Sequence, residues 1–286
     1  MKIKNFIIAM LTLISAAAEA QSFNDFFTDK TLRVNFILGG NANSQNIYIS
    51  NMNSIDGWYG RKNHLAEFPV EGNTQFELKD KKTGKVIYRN SLSTLFQEWQ
   101  TYPEANTSNR SFENVILMPM PKDTATLTIS LISNRRQIAG SITETISPTD
   151  ILIRKTGEEP APYEVLNKAA DQQKCIHIAF LAEGYTDKEM DKFINDARIA
   201  TDAIFAHEPF KKYQDRFQVI AVKSASEDSG TSVPSKGIWK KTALGSNFDT
   251  FYSERYLTTL NLSRVHDCLA GTPYEHIIIL VNTDVY

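Results

Sequence analysis

The sequence lacks the features that mark disulfide-rich, nucleic-acid-binding and multi-pass membrane proteins. It has only two cysteines in 286 residues, which is too few for a disulfide framework. Basic and acidic residues nearly balance, at 31 and 33, so no basic field attracts nucleic acid. Beyond residue 20, no apolar run reaches the ~20 residues of a transmembrane helix. What remains is globular composition, 42% hydrophobic and 22% charged, with room for two domains.

The first 20 residues have the pattern of a secretory signal. Lys2 and Lys4 precede an apolar run over residues 6–14, and the sequence AEA at residues 18–20 supplies the small-residue end. A buried N-terminal helix is the alternative, but it leaves the AEA end unexplained. No cysteine follows the run, which argues against a lipid anchor. We therefore expect the mature chain to begin at Gln21 and to be periplasmic, displayed on the cell surface or secreted.

The two cysteines leave two interpretations open. Export would place Cys175 and Cys268 in a compartment that permits a disulfide. Each also lies beside an apolar segment, so two buried thiols explain them equally well.

Residues 21–153 have the alternation of a β-sandwich. In TLRVNFIL, at residues 31–38, every second side chain from Leu32 onward is apolar, and the polar Arg33 and Asn35 fall between. NIYIS, TQFELKD, KVIYRN and ATLTISLI repeat the alternation, and turn sequences such as EGN and KTG separate them. Such short strands predict an all-β antiparallel sandwich, with one face of each strand in the core and the other in water.

One segment of this region, STLFQEWQTYPEA at residues 93–105, lacks strand alternation. Phe96 and Trp99 are three residues apart, which predicts a helical turn across the sandwich. Trp58 and Trp99 are candidates for a ligand platform, but packing in the core or at its rim is the commoner role of such large aromatic side chains.

Residues 154–174 are predicted to be a linker, because Gly157, Pro160 and Pro162 interrupt regular structure there. The period of the sequence changes after the linker. Residues 176–182 form a nearly continuous apolar run, which is typical of a strand buried on both faces. The sequence TDKE at residues 186–189 is a capping box, which predicts that a helix starts there and ends before Pro209.

Residues 175–286 are predicted to form an incomplete α/β domain with a mostly parallel sheet, because strand and helix patterns alternate. Strands are expected at residues 176–182, 216–222 and 276–281, a polar loop at 224–245 and a second helix over most of 249–268.

The carboxyl ends of parallel strands share one edge of a sheet, where ligands bind in such domains. Four residues are expected at this edge and are the candidates to contact substrate or to support residues that do: Glu183, Gly184, Tyr185 and Asp284. For the two acids, capping a helix or holding a loop is the alternative role.

None of the familiar catalytic motifs occurs in the sequence. G-x-S-x-G, the phosphate loop and the dinucleotide motif G-x-G-x-x-G are absent. The zinc motif H-E-x-x-H is approached only by HEPFK at residues 207–211, where lysine replaces the second histidine and the proline breaks the helix. His177 and His276 lie in or beside buried strands, so a core or edge position explains them better than metal ligation. The residues alone therefore indicate no metal ligand and no catalytic group.

Many segments resemble the IgA-peptidase-like zinc metallopeptidases, the sixty-fourth family of metallopeptidases. In the first region the resemblance rests on DKTLRVNFILGGNANSQNIYIS, WYGRKNHL, LFQEWQTYPEA, RSFENVILMPMPK and ISPTDILIRKTG. In the second it rests on IAFLAEGYTDKEMDKFINDA, EPFKKYQDRFQVIAVKSASEDSG, TALGSNFDTFY and IIILVNTDVY. The resemblance implies an accessory β-sandwich, the opening half of a catalytic domain, and zinc-dependent hydrolysis of peptide bonds as the family's reaction.

The resemblance also implies what these 286 residues do not contain. In such enzymes a glycine-rich segment and the zinc-binding H-E-x-x-H helix follow the strand similar to IIILVNTD. We therefore expect no zinc in this chain and no catalysis by the chain as written. The implied partners are protein or peptide substrates, with host glycoproteins as one candidate. The alternative is a non-catalytic exported protein that uses the β-sandwich to bind a glycan or a protein.

Overall fold

The computed structural model describes residues 22–284. In chain order the first elements are α1 (Phe23–Phe26), β1 (Phe27–Asn41), β2 (Ser44–Asp56), β3 (Thr74–Asp80), β4 (Val86–Leu92), α2 (Leu95–Trp99), β5 (Arg110–Pro121), β6 (Ala125–Ile132) and β7 (Ile138–Ile146). The later elements are β8 (Arg154–Thr156), β9 (Tyr163–Asn167), β10 (Ile176–Glu183), α3 (Met190–Phe205), β11 (Phe217–Val222), α4 (Leu262–Leu269) and β12 (His276–Val281). We call residues 22–156 the β module and residues 163–284 the α/β module. None of the helices in the described part of the chain is long and apolar enough to cross a bilayer. The predicted signal lies outside the described residues.

The β module is a sandwich of two four-stranded sheets. One has the order β5–β1–β2–β8 and the other β4–β3–β6–β7, and all pairs are antiparallel except β2 with β8. Alternate side chains of both sheets meet in one apolar core, as a period of two requires. Leu32 and Phe36 enter it from one sheet and Leu127 and Ile129 from the other, each at most 1% exposed. The predicted sandwich is confirmed.

The outer face of β1 departs from the expectation that it meets water. Arg33 and Asn35, which alternate with the core residues, are only 1% and 7% exposed. The reason is that α4 of the α/β module lies over this face: Arg33 donates to the Asp267 carboxylate at 2.6 Å and to the Ser263 carbonyl at 2.9 Å. Alternation indicates which face of a strand enters its own core, but it does not reveal a further layer over the other face.

Both tryptophans of the β module pack in its core. Trp58 is 7% exposed and donates from Nε1 to the Arg61 carbonyl at 3.0 Å. Trp99 is fully buried in α2, where Nε1 donates to Glu104 at 2.9 Å. Its ring stacks on that of Phe96 with 6.1 Å between centroids, so the helical turn predicted from their spacing is confirmed.

The sheet of the α/β module has the strand order β12–β10–β11–β9. β10 pairs in parallel with β11 and β12, and β9 pairs antiparallel with β11. α3 packs Phe193 against Phe180 on one face, and α4 packs Val265 against Leu181 on the other. The predicted α/β fold with a mostly parallel sheet is therefore confirmed.

The segment predicted as a linker contains two short strands. β8 extends the first sheet of the β module beside β2, and β9 forms the antiparallel edge of the α/β sheet. Strands of three and five residues are too short to display alternation, which is why the sequence pattern misses them. The boundaries of the linker stay a prediction, with residues 157–162 as the connection between the two strands.

The helix predicted over most of residues 249–268 is wrong for much of its length. Only α4 is α-helical, and the residues before it turn sharply, with positive φ angles at Asp249, Phe251 and Tyr252. Phe251 belongs to the core of the β module, with its ring centroid 5.1 Å from that of Tyr102. Packing of this aromatic side chain against the sandwich overrides the helical spacing.

The two cysteines do not form a disulfide. Cys175 and Cys268 are free thiols, and both are half-buried. Burial raises the pKa of each thiol. The sequence leaves open a disulfide and two buried thiols, and the structure has two free thiols.

Candidate active-site edge

The carboxyl ends of β10, β11 and β12 meet at one edge of the α/β sheet. From β10 the chain crosses through α3 on one face to β11, and then through α4 on the opposite face to β12, which lies on the other side of β10. The space between the ends of β10 and β12 is therefore a topological switch point, where open α/β sheets bind ligands. Three loops meet there: residues 184–186, 224–245 and 282–284.

Glu183, the last residue of β10, holds the second of these loops in place. Its side chain is fully buried, and both carboxylate oxygens accept hydrogen bonds from the loop end. Oε1 accepts from Thr242 Oγ1 at 2.6 Å and from the N and Oγ of Ser246 at 2.8 and 2.6 Å, and Oε2 accepts from Leu244 N at 2.8 Å. The geometry thus gives Glu183 the loop-holding role, with its acceptor positions directed at the protein.

Gly184 allows two loops to approach each other closely. Its φ is +72°, and a Cβ added there would lie 2.2 Å from the Gly230 carbonyl oxygen, so a side chain does not fit. Gly230 N donates to the Gly184 carbonyl at 2.9 Å, and Gly184 N donates to Ser226 Oγ at 3.0 Å. The turn after β10 is therefore hydrogen-bonded directly to the 224–245 loop.

Tyr185 packs its ring under the start of α3. It is 3% exposed, and its hydroxyl donates to Asp196 Oδ2 at 2.9 Å. Lys192 Nζ donates to the same oxygen at 2.9 Å and lies 4.9 Å from the centroid of the Tyr185 ring. Burial, together with the Asp196 carboxylate, raises the pKa of Tyr185, so its hydroxyl stays protonated and acts as a donor.

Asn282 ties the three loops together, although sequence reasoning did not select it as a site residue. Its Nδ2 donates to the Gly184 carbonyl at 3.0 Å, to Ser229 Oγ in the 224–245 loop at 3.3 Å and to Glu189 Oε1 at 3.2 Å. Its Oδ1 accepts from Lys192 Nζ at 2.9 Å. The available signal was its place directly after the apolar run of β12, at the edge where ligands bind.

Glu189 is the anion at the centre of these contacts. Its carboxylate accepts from the N and Oγ1 of Thr186 at 2.9 and 2.7 Å, which is the carboxylate half of the predicted capping box, and from Ser229 Oγ at 2.8 Å. These hydrogen bonds, led by that from the Thr186 backbone, lower the pKa of Glu189 to about 2. The residues joined in this way form what we call the strand-end cluster: Gly184, Glu189, Lys192, Ser229 and Asn282.

Asp284 lies apart from the strand-end cluster. It is exposed beyond the end of β12, and it makes no hydrogen bond or ion pair with the residues that the structure describes. The structure therefore brings Gly184 into the cluster, places Glu183 and Tyr185 beneath it, and leaves the carboxylate of Asp284 open to an external group.

The histidines do not converge on one point. His177 packs edge to face on Tyr59, with 5.1 Å between ring centroids, and His266 Nδ1 lies 2.8 Å from the Tyr274 hydroxyl. Burial lowers the pKa of His177, and that of His266 to about 3, so both rings are neutral. Within residues 22–284, no three His, Cys, Asp or Glu side chains lie close enough together to hold a metal ion. A zinc ion, which needs three or four such ligands, does not fit the described residues.

Two family profiles match the chain, one for each module. The profile described as Peptidase M64 N-terminus matches residues 22–142, and the profile described as IgA Peptidase M64 matches residues 165–286. A search of curated proteins finds no match. The two profiles place the chain among the metallopeptidases. More narrowly, it belongs to the M64 peptidase family, which confirms the resemblance noted in the sequence.

Proposed function

We propose that this protein is an exported member of the M64 family that acts in the cleavage of proteins or peptides, and that the strand-end cluster shapes its substrate-facing edge. The observation that carries the proposal is a coincidence of two independent features. The profile for IgA Peptidase M64 covers every residue of the strand-end cluster, and that cluster lies at the switch point of the sheet. Ligands of open α/β sheets bind outside this point.

The candidate residues take different roles at this edge. Asp284 is proposed to face the substrate, because its exposed carboxylate has no partner among residues 22–284. Glu183 and Tyr185 are proposed to act indirectly, by fixing the 242–246 segment and the start of α3. Gly184 is proposed to keep the first loop close to Gly230 so that the edge stays open.

Zinc is part of this proposal because peptidases of the M64 family are generally zinc-dependent. In a peptidase, a bound zinc ion polarises the scissile carbonyl and activates water. The 286 residues contain no H-E-x-x-H sequence, and the described side chains gather no set of three ligands. We therefore propose that these residues support the substrate edge, contribute no zinc ligand, and do not hydrolyse peptide bonds by themselves.

Export is supported by the first 20 residues. Their basic start, short apolar run and AEA end match a secretory signal, and cleavage is proposed before Gln21. An exported peptidase meets proteins of its surroundings, and host glycoproteins are one proposed class of substrate.

The test uses the protein as its own cells make it. Antibodies raised against the 286-residue chain would capture it separately from culture medium, periplasm and cytoplasm. We expect capture outside the cytoplasm and a mature N-terminus at or near Gln21. Where mass spectrometry finds an H-E-x-x-H segment in the captured polypeptide, we expect it to cleave a denatured protein until a zinc chelator is added, whereas a captured polypeptide of these 286 residues alone should not cleave. Mock capture with unrelated antibodies is the control.

Each part of the proposal has its own contrary result. Met1 retained on a cytoplasmic protein would reject export. A captured polypeptide that carries an H-E-x-x-H segment and shows no chelator-sensitive cleavage would reject the peptidase function and favour an exported binding protein.

A further inference from the structure

A cavity of about 90 Å³ lies where the two modules meet, away from the strand-end cluster. The β module contributes the turn at residues 57–60 with Thr31 and Asn90, and the α/β module contributes Tyr274 and Glu275. A water molecule takes about 30 Å³ in the liquid, so the cavity has room for about three waters or for a small organic head group.

Two aromatic rings of the DGWYG sequence line this cavity, and two glycines set their positions. A Cβ on Gly60 would lie 2.5 Å from the ring of Trp58, and a Cβ on Gly57 would lie 2.9 Å from the ring of Tyr59. Each ring therefore packs directly against a glycine backbone. Tyr274 adds a third ring from the other module, with its hydroxyl turned to His266.

Glu275 is the carboxylate in the wall of the cavity. No Lys, Arg or His side chain within residues 22–284 forms a salt bridge with it, and no described side chain donates a hydrogen bond to its carboxylate. Burial raises the pKa of Glu275, while the charges of His276 and Arg61 and the backbone of His177 act in the opposite direction.

Two other polar side chains of the wall have hydrogen-bond partners within the protein. Thr31 Oγ1 donates to the Gly57 carbonyl at 2.6 Å, and Asn90 Nδ2 donates to the Tyr88 hydroxyl at 3.3 Å. Arg61, whose charge acts on Glu275, donates to backbone carbonyls, including that of Glu67 at 2.7 Å. The wall thus offers aromatic side chains and a carboxylate that forms no salt bridge with a described residue, although the charges of Arg61 and His276 act on it.

We propose that this cavity binds a small ammonium group, a primary or methylated amine, through Glu275 and the rings of Trp58, Tyr59 and Tyr274. A carboxylate forms charge-assisted hydrogen bonds with ammonium donors, and aromatic faces attract cations. An anion would meet the charge of Glu275, and a neutral apolar group would bury that charge further without adding a salt bridge to it. The ammonium group comes either from a free amine or from the end of a lysine side chain in a peptide.

Binding in this cavity couples the two modules, because each supplies part of the wall. A ligand that binds only the folded, joined form raises the unfolding temperature, and the rise grows with the logarithm of the ligand concentration once that exceeds Kd. The proposed amine binding does not depend on peptidase activity, so a negative result for one does not reject the other.

The test titrates the full chain with methylammonium, trimethylammonium and Nα-acetyl-lysine amide, followed by calorimetry and tryptophan fluorescence. We expect saturable 1:1 binding of at least one of the three. Binding of the free amines alone identifies a free amine as the source, and binding of the lysine derivative identifies a peptide. tert-Butanol, which is similar in size and neutral, should not bind, and equal potassium chloride controls for ionic strength.

Two variants and a matched control locate the site. Glu275→Gln should weaken binding about tenfold or more, because a charged hydrogen bond is lost. Tyr59→Leu should weaken it severalfold, and Glu159→Gln, an exposed acid of the linker, should leave it unchanged. Unfolding temperatures measured without ligand show whether each variant is folded. Binding that persists in folded Glu275→Gln, or no saturable binding up to about 100 mM, would overturn the proposal.

Discussion

The core of the β module and the strand-end edge of the α/β module are built from different contacts. Across the sandwich, buried apolar side chains such as Phe36 and Leu127 meet each other. At the edge, the buried groups are the carboxylate of Glu183 and the hydroxyls and backbone N–H groups that surround it. An apolar core accepts side chains of similar volume, whereas donors that lose a buried acceptor have no substitute. The edge should therefore be the more sensitive of the two regions to a single polar substitution.

The largest effect is expected at Glu183. Glu183→Ala should lower the free energy of unfolding by about 3–5 kcal/mol, because Thr242, Leu244 and Ser246 lose a buried acceptor and each unsatisfied donor costs about 1–3 kcal/mol. A cavity from Leu127→Ala in the sandwich should cost about 2–5 kcal/mol by a different cause, the loss of apolar contacts. Chemical denaturation of both variants measures the difference.

The comparison is sharpened by Glu183→Gln, which keeps the volume of the side chain. It should recover only part of the stability, because one oxygen is replaced by a donor. Glu254→Ala, at an exposed acid, is the matched control and should change little. A Glu183→Ala protein as stable as the control would show that the hydrogen bonds of this carboxylate do not hold the loop.

The next effect concerns the contact between β1 of the β module and α4 of the α/β module. Arg33→Ala should cost about 2–3 kcal/mol, since a buried guanidinium gives up its hydrogen bonds to α4 through Asp267 and Ser263. We expect the single unfolding transition to split, with the α/β module unfolding first. Lys30→Ala removes an exposed ion pair with Asp56 at 3.8 Å and should cost less than about 1 kcal/mol.

Differential scanning calorimetry of Arg33→Ala and Lys30→Ala tests this prediction. One cooperative transition at the wild-type temperature in Arg33→Ala would mean that the two modules are joined mainly by other contacts.

The smallest effect is a dependence on pH that arises within the strand-end cluster. The pKa of Glu189 is lowered to about 2 from the ordinary 4.5 of a glutamate, so its contribution to stability is present above about pH 4.5 and is lost as the pH falls toward 2. Glu189→Gln should therefore be less stable than wild type at pH 7, and the gap should narrow below pH 4.5. The unfolding temperature as a function of pH checks this, with Asp187→Asn as the neighbouring control. A gap that stays constant down to pH 2 would contradict the assignment.

Sequence pattern predicts the fold well where a side chain's environment is decided by its own strand or helix. Leu32 and Leu127 enter the core as alternation requires, and α3 begins at the capping box with Glu189. Sequence pattern gives a wrong prediction where a distant part of the chain determines the environment of a side chain. Arg33 is buried by a helix that lies more than two hundred residues away in the sequence, and Phe251 is drawn out of a helical spacing by the sandwich.

The sequence predicts where the candidate edge lies in the sheet, but not which side chains form hydrogen bonds there. Parallel strands determine where residues 183–185 and 282–284 must meet, and the structure brings Gly184 and Asn282 together there. Whether Asn282 or Asp284 joins these loops is decided by hydrogen bonds, which residue spacing does not predict. Acidic character alone favours Asp284 over Asn282, yet an amide can donate and accept at once and so can join three loops.

The β module and the α/β module agree in one respect: within residues 22–284, neither gathers three side chains able to hold a metal ion. The direct measurement is the metal content of the purified 286-residue chain after incubation with zinc and removal of the excess. We predict far less than one zinc per chain, and the same circular dichroism spectrum with and without a chelator. One tightly bound zinc per chain, released by the chelator, would contradict the account, because it would require ligands to converge where the structure keeps them apart.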